Sequence, residues 1–375
     1  SHVADEQAAN EAEAVAAPLK VEADKTREAY TTAVKVADDR RSQAEQAKAA
    51  LREHGVTGVV HLAAKKAVGE SVERPHYYYR QNVEGAMALT DGRLNVRVTV
   101  GYPIALAAPA IEAQIKSALT DVNVPVTVDV HAQIESHVVQ RNLPLLKGVK
   151  NLIAVASGKG GVGKSSTAVN LALALARHGA RVGLLDADIY GPSIPQMLGI
   201  GGQQPHSPDG KHIEALRAHG IALMSIGFLV DAESPMVWRG PMVTSALEQL
   251  LRQTNWRDLD YLIVDMPPGT GDVAISLGQN LPTARSLVVT TPQTAAAEVA
   301  LRSGALGLQT GQSVFGVIEN MSWLENQDGS RMEIFGSGGG QAVAKHLETS
   351  LLGQVPISIS LREGSDQGKP VVLAN

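Results

Sequence analysis

The densest chemistry in this sequence lies in ten residues, Ser157-GKGGVGKS-Ser166. Gly158, Gly163, Lys164 and Ser165 satisfy the spacing G-x-x-x-x-G-K-[ST], with an apolar run, LIAVAS, before it and a helical run, STAVNLALALARHG, behind it. Glycines at this density let backbone N–H groups wrap phosphate oxygens without Cβ clashes. The start of the following helix adds a favourable partial charge. Lys164 is then placed to reach β- and γ-phosphates, and the Ser165 hydroxyl to take Mg²⁺. The expected phosphate cradle is Gly158, Lys159, Gly160, Gly161, Val162, Gly163, Lys164, Ser165 and Ser166.

Carboxylates recur where such a loop needs them. LLDADIYGPSIP (184–195) sets Asp186 and Asp188 at the end of an apolar strand. That is the edge where open α/β sheets bind ligands. A helix N-cap or turn role is the plainer alternative for either one. LDYLIVDMPPGTGD (259–272) sets Asp265 after four apolar residues, about 100 residues beyond the glycine loop. Asp265 is expected to hold Mg²⁺ through water, and PPGTGD to form a rigid turn beside the γ-phosphate. Asn320 closes the strand VFGVIE, and its amide offers the donor and acceptor that suit an adenine edge. Turn capping is its alternative. Gln354-Val355-Pro356 is expected to form a loop on the other side of the base, with Pro356 against it.

The elements that must position these residues follow from pattern. Of the 36 glycines, 29 lie from Asn151 onward, where apolar strands alternate with helical stretches. Strands are expected at Leu152–Ala156, Val182–Asp186, Tyr261–Asp265, Ser286–Thr290 and Val314–Ile318. Continuous apolar strands bounded by helices require a mostly parallel sheet covered on both faces. Residues 94–137 alternate apolar and polar as strand, amphipathic helix and strand, which is a small α+β module. Residues 138–150 read as its linker to an α/β domain at 151–375. Residues 1–50 hold 15 Ala, 17 charged residues and no Gly, so 1–55 reads as a helical extension.

Composition removes several classes of function. Among 375 residues there is no cysteine, which excludes disulfides, thiol catalysis and Cys-ligated metal held by this chain. A net charge of −5 argues against a nucleic-acid coat. No apolar run reaches the ~18 residues of a membrane span. The opening SHVADEQAANEAEA has neither basic nor apolar signal regions, so the expected compartment is the cytoplasm, with no membrane partner. The 11 His show no metal-ligand spacing and read as structural or surface residues.

Taken in order, GKGGVGKSS, DADIYGPSIP, MVWRGPM (236–242), DMPPGTGD, TTPQ (290–293) and ENMS (319–322) resemble the Mrp/ApbC family of P-loop ATPases, in the MinD/ParA group. The resemblance runs from about Leu94 to Asn375 and is close across 148–280, with 94–137 similar to part of the family's N-terminal domain. It implies a P-loop NTPase fold and a dimeric, slow Mg²⁺-dependent ATPase that serves iron–sulfur cluster assembly and client proteins. It also implies roles residue by residue. Lys159 would be the signature lysine that reaches a partner's nucleotide. Asp188 would orient the attacking water, Asp186 would support the Mg²⁺ shell, and Asn320 would contact the base. Within VWRGP, Trp238 reads as a packing residue; for Arg239 beside it, contact with an anion or a partner acid is the alternative to a plain surface role.

The chain departs from that family in one chemical respect. The family usually carries a C-x-x-C pair shortly after ENMS, where this chain reads WLENQDGSRMEIFGSGGG. Glu325, Asp328 and Glu333 offer hard oxygens, whereas cluster iron prefers thiolates. No iron–sulfur ligands are therefore assigned. Two other readings remain at this point: a MinD/ParA-like positioning ATPase, and a scaffold that keeps the loop without turnover. The first would want a basic amphipathic tail, which REGSDQGKPVVLAN is not. Separately, residues 56–93 contain VVHLAAKKAVGESVERPHYYYRQNVEG, which resembles a strand–helix segment of the UDP-glucose 4-epimerase family. The upstream glycine fingerprint and the Tyr-x-x-x-Lys of that family are absent, so no epimerase activity is carried over.

Overall fold

The computed structural model describes residues 59–62, 83–90, 93–120, 122–136, 146–189, 191–229, 240–281, 283–326 and 328–374. The expected extension over 1–55, residue 137 at the end of the small module, residues 138–145 of the linker, Trp238 and Arg239 lie outside the described residues.

Four strands form the N-terminal sheet: β1 (Val59–Leu62), β2 (Val83–Thr90), β3 (Arg93–Val100) and β4 (Val126–Ala132), in that order. Helix α1 (Ala108–Ala118) joins β3 to β4. Alternation explains β3, since Val96, Val98 and Val100 are buried and the residues between them are more exposed. The helix expected at YYYRQNVEG does not extend over Val83–Gly85. Those residues open β2, which pairs antiparallel with β1 so that Leu62 faces Gly85. Cross-strand pairing with β1 overrides the helical reading there. Because β1 and β2 share a sheet with β3 and β4, strand structure continues across the 93/94 boundary drawn from sequence.

The larger sheet follows from residue 149 onward. Its elements are β5 (Val149–Ser157), α2 (Lys164–Arg177), β6 (Val182–Asp186), α3 (Ile194–Met197), β7 (Ile213–Glu214), β8 (Leu216–Ala218) and β9 (Ile221–Ser225). Then come α4 (Gly240–Gln253), β10 (Thr254–Asn255), β11 (Leu259–Asp265), α5 (Asp272–Asn280), β12 (Arg285–Thr290) and α6 (Thr294–Gln309). The chain continues through β13 (Ser313–Glu325), β14 (Arg331–Met332), α7 (Gly339–His346), β15 (Leu351–Ile357) and α8 (Ile359–Asp366). The nine-stranded order is β14-β13-β12-β5-β11-β6-β9-β8, with β15 also on β13. All neighbours are parallel except β8 on β9 and β14 on β13. β7 and β10 form a separate parallel pair.

The middles of the central strands are apolar because helices cover the sheet, and their polar residues gather at the strand ends. Leu262, Ile263 and Val264 of β11 are fully buried, as are Leu184 and Leu185 of β6. Helix α2 presents Ala168, Val169, Ala172 and Leu173 inward at helical spacing. Asp260 ties the strand starts together. Its carboxylate accepts from Lys150 at 2.8 Å and from Nη2 and Nε of one Arg181 guanidinium edge at 3.0 and 3.1 Å. Lys150 therefore belongs to β5 rather than to a linker ending at residue 150. Burial works to raise the Asp260 carboxyl, and the bonds from Arg181 and Lys150 outweigh it, holding it at about 2. Among the described residues no helix is long and apolar enough to cross a membrane.

Candidate functional site

The glycine loop joins the end of β5 to the start of α2, at the C-terminal edge of the parallel strands. Two glycines there are required by space. A Cβ on Gly163 would lie 2.0 Å from Asn320 Nδ2, and its φ of +84° is left-handed. A Cβ on Gly158 would lie 2.2 Å from the Val299 carbonyl carbon in α6. The loop is thus seated between β13 and α6. Val162 is buried and anchors the loop from below. Ser157, Lys159, Gly160, Gly161, Gly163, Lys164, Ser165, Ser166, Asp188 and Pro268 line an open pocket above it.

The charged centre is compact. Lys164 Nζ lies 2.7 Å from Asp265 Oδ1 and 3.6 Å from Asp188 Oδ2. The Ser165 hydroxyl donates to Asp265 Oδ2 at 2.6 Å. Asp265 ends β11 in register with Asp186 of β6, so parallel pairing brings the two carboxylates side by side. Burial, together with the neighbouring Asp265 charge, pushes Asp186 up to about 7. Burial also raises Asp265, against the opposing pull of Lys164 and Ser165. Asp186 is fully buried and accepts from the Asp188 amide, the Ile194 amide and the Ser225 hydroxyl. It therefore shapes the loop that presents Asp188 and caps the start of α3.

The donors suit Mg²⁺. Ser165 Oγ and Asp265 Oδ2 are hard oxygens at one spot, and two crowded buried carboxylates are stabilised by a nearby cation. Among the described residues no group of three His, Asp or Glu closes around a metal ion. An ion here would complete its shell with phosphate oxygens and water, which is the usual habit of Mg²⁺.

The remaining residues expected at the site fall into place unevenly. Asn320 is buried, and its Nδ2 donates to the Val162 carbonyl at 2.9 Å, so this amide ties β13 to the glycine loop. Pro356 does not sit in a loop. It lies in β15, which pairs with β13 so that Val355 faces Asn320. Among the described residues β15 has a neighbour on one side only, and a sheet edge tolerates the missing N–H of proline. Lys159 Nζ donates to Gln293 Oε1 at 3.4 Å. Across the WLENQDGSRMEIF stretch, β13 runs on to Glu325, and Asp328 accepts from the Ser330 amide and hydroxyl within a turn.

Sequence reasoning assigned no role to Ser225, Gln293 or Glu319. Glu319 is fully buried and accepts from Ser322, Gln354 and the Gly340 amide, joining β13, β15 and α7. The segments TTPQ and ENMS are visible as motifs, but Lys159, Gln354 and Gly340, which bond to Gln293 and Glu319, lie on other elements.

A parallel sheet with this glycine loop at its C-terminal edge, facing an Asp at the end of a neighbouring strand, defines a P-loop NTPase. The chain belongs to the NUBPL iron-transfer P-loop NTPase family of the ParA group, which it matches over residues 148–375. An iron-sulfur cluster carrier protein of Salmonella typhimurium is 55% identical over 235 residues, covering 62% of this chain and 64% of that protein. The iron-sulfur cluster transfer protein NUBPL of Mus musculus is 48% identical over 248 residues, covering 64% of this chain and 77% of its own length. A nucleotide-binding protein of Archaeoglobus fulgidus, solved in complex with ADP, is 33% identical with a TM-score of 0.54, over 61% of this chain and 90% of that one. The match thus spans less than two thirds of the Salmonella relative. Residues 10–99 are separately similar to the GDP-mannose 4,6 dehydratase family, a longer stretch than the 56–93 segment noted in the sequence.

Proposed function

We propose that the chain is a slow, Mg²⁺-dependent ATPase that acts as a homodimer in iron–sulfur cluster assembly. The observation that carries this reading is the Lys164–Asp265–Ser165 arrangement under the glycine loop, with Asp188 at its rim. Lys164 would leave Asp265 for the β- and γ-phosphates, because a phosphate oxyanion offers a stronger charge-assisted bond in the open pocket. Ser165 and Asp265 would hold Mg²⁺, with Asp186 backing them from the strand behind. The ion would supply charge neutralisation at the phosphates. Asp188 would orient the water that attacks the γ-phosphorus, giving ADP and phosphate. Lys159 would meet phosphate charge at the pocket mouth, either in its own subunit or across a dimer. Asn320 would hold the loop beneath the nucleotide and present the other side of its amide to the base; Pro356 would act only by bracing β13.

The family and its cluster-carrying relatives support a place in cluster handling. With no cysteine in the chain, the thiolates that hold a cluster would come from partner or client proteins.

Phosphate release from Mg-ATP tests the catalytic part. The parent should turn over slowly, chelation of Mg²⁺ should stop it, and Asp188→Ala should bind ATP without turnover. Equal turnover by Asp188→Ala would remove Asp188 from the mechanism. Anaerobic loading with iron and sulfide tests the cluster part. The chain alone should acquire no cluster absorbance, and a cluster stably held by it would overturn that assignment.

A further inference from the structure

We infer that Gln293 is a positioning residue for Lys159: its amide oxygen holds the lysine ammonium at the pocket mouth until a phosphate oxyanion takes it. The inference rests on the phosphate-binding reading of the pocket. Two lysines line that pocket, and they are held differently. Lys164 is neutralised by Asp265 at 2.7 Å. Among the described residues, Lys159 has no carboxylate within ion-pair reach, and its ammonium rests on the neutral Gln293 Oε1 at 3.4 Å. A long bond to a neutral amide is a weak hold, and phosphate outcompetes it.

The pairing is built into the framework. Gln293 is the N-cap residue of α6, yet its side chain does not cap the helix; its backbone carbonyl instead accepts from Ala296 and Ala297. Its side chain is thereby left for Lys159. The preceding Thr290, Thr291 and Pro292 are buried at the end of β12. Gly339 packs against the Pro292 carbonyl so closely that a Cβ there would stand 2.4 Å from the oxygen. Gly158, beside Lys159, is pressed onto Val299 and Ala300 of the same helix. Both backbones are therefore fixed by close packing, and only the two side chains span the gap. The amide also matters chemically. A carboxylate at position 293 would bind Lys159 as an ion pair and repel an incoming triphosphate.

The test compares the full-length parent with Gln293→Glu and with Gln293→Met, which keeps size and loses the acceptor. In nucleotide-free protein, acylation of the Lys159 amine is followed by mass spectrometry. Gln293→Met should react about twofold faster or more, and Gln293→Glu about threefold slower or more, as an exposed ion pair allows. Mg-ATP should protect Lys159 in the parent. In phosphate release, Gln293→Glu should lose about fivefold or more in kcat/KM, and the same change in a Lys159→Ala background should have no further effect on KM. Equal acylation rates in the three proteins would overturn the inference, as would an undiminished KM effect without Lys159. A parent that binds no nucleotide while the acylation rates still differ would fault the ATPase reading and leave the Lys159–Gln293 hold standing.

Discussion

The Gly158→Ala substitution would place a Cβ 2.2 Å from the Val299 carbonyl carbon and 2.4 Å from both the Val299 oxygen and the Ala300 nitrogen. These are backbone atoms in α6, and they cannot turn aside as a side chain can. Restoring ordinary contact requires the loop or the helix to move by about 1 Å. Overpacking of that kind costs about 1–3 kcal/mol. The displacement falls on the loop that carries Lys159 and leads to Lys164, where an error of about 1 Å can cost up to about 100-fold in turnover. Urea titration reads the stability change, and calorimetric ATP titration with phosphate release reads the site. Gly160→Ala is the control, since nothing lies within 4 Å of its Cβ position. Its stability change should stay within about 0.5 kcal/mol. If Gly158→Ala proves as stable as Gly160→Ala and equally active, the seating of the loop against α6 is wrong.

Other substitutions probe separate parts of the site and its frame. Asn320→Ala removes a buried bond to the Val162 carbonyl and should cost about 1–3 kcal/mol by denaturant titration, with weaker ATP binding. Glu319→Gln sets an amide donor among three donors and should cost about 1–3 kcal/mol; unchanged melting would contradict the hydrogen-bond network at Ser322, Gln354 and Gly340. Asp260 is held below the unfolded carboxylate value, so its stabilisation is fully present above about pH 4 and fades as pH falls toward 2. With Arg181 half-exposed, that contribution is about 1–2 kcal/mol. The Asp260→Asn variant should be less stable than the parent at pH 6, with the gap closing near pH 2; a gap independent of pH would rule this out.

Legibility in the sequence followed the range of the interactions. The β5–loop–α2 unit could be read because strand, glycines, Lys164 and helix are contiguous. Asp186 and Asp265 could be placed at strand ends because apolar runs precede them. Their register, which sets the two carboxylates side by side, is a property of the sheet. The bonds from Asn320 to Val162 and from Lys159 to Gln293 join residues more than 130 positions apart, and no local spacing encodes them. The loop expected at Gln354-Val355-Pro356 is instead part of β15, because an edge strand admits the proline and its pairing with β13 is not encoded locally. Val83–Gly85 took its helical reading from resemblance, whereas the strand arises from pairing with β1. The glycines at 158 and 163 were assigned to phosphate wrapping, and the structure adds a mechanical reason in their contacts with α6 and Asn320.

Calorimetric titration of the full chain with ATP, with and without Mg²⁺, bears most directly on the nucleotide site, with phosphate release measured on the same samples. The parent should bind Mg-ATP and release phosphate. The Lys164→Ala variant, checked for folding by circular dichroism, should lose about tenfold or more in affinity. Asp188→Ala should keep affinity and lose turnover. A folded parent that binds no nucleotide would contradict the account and leave the glycine loop as a structural element of the sheet edge.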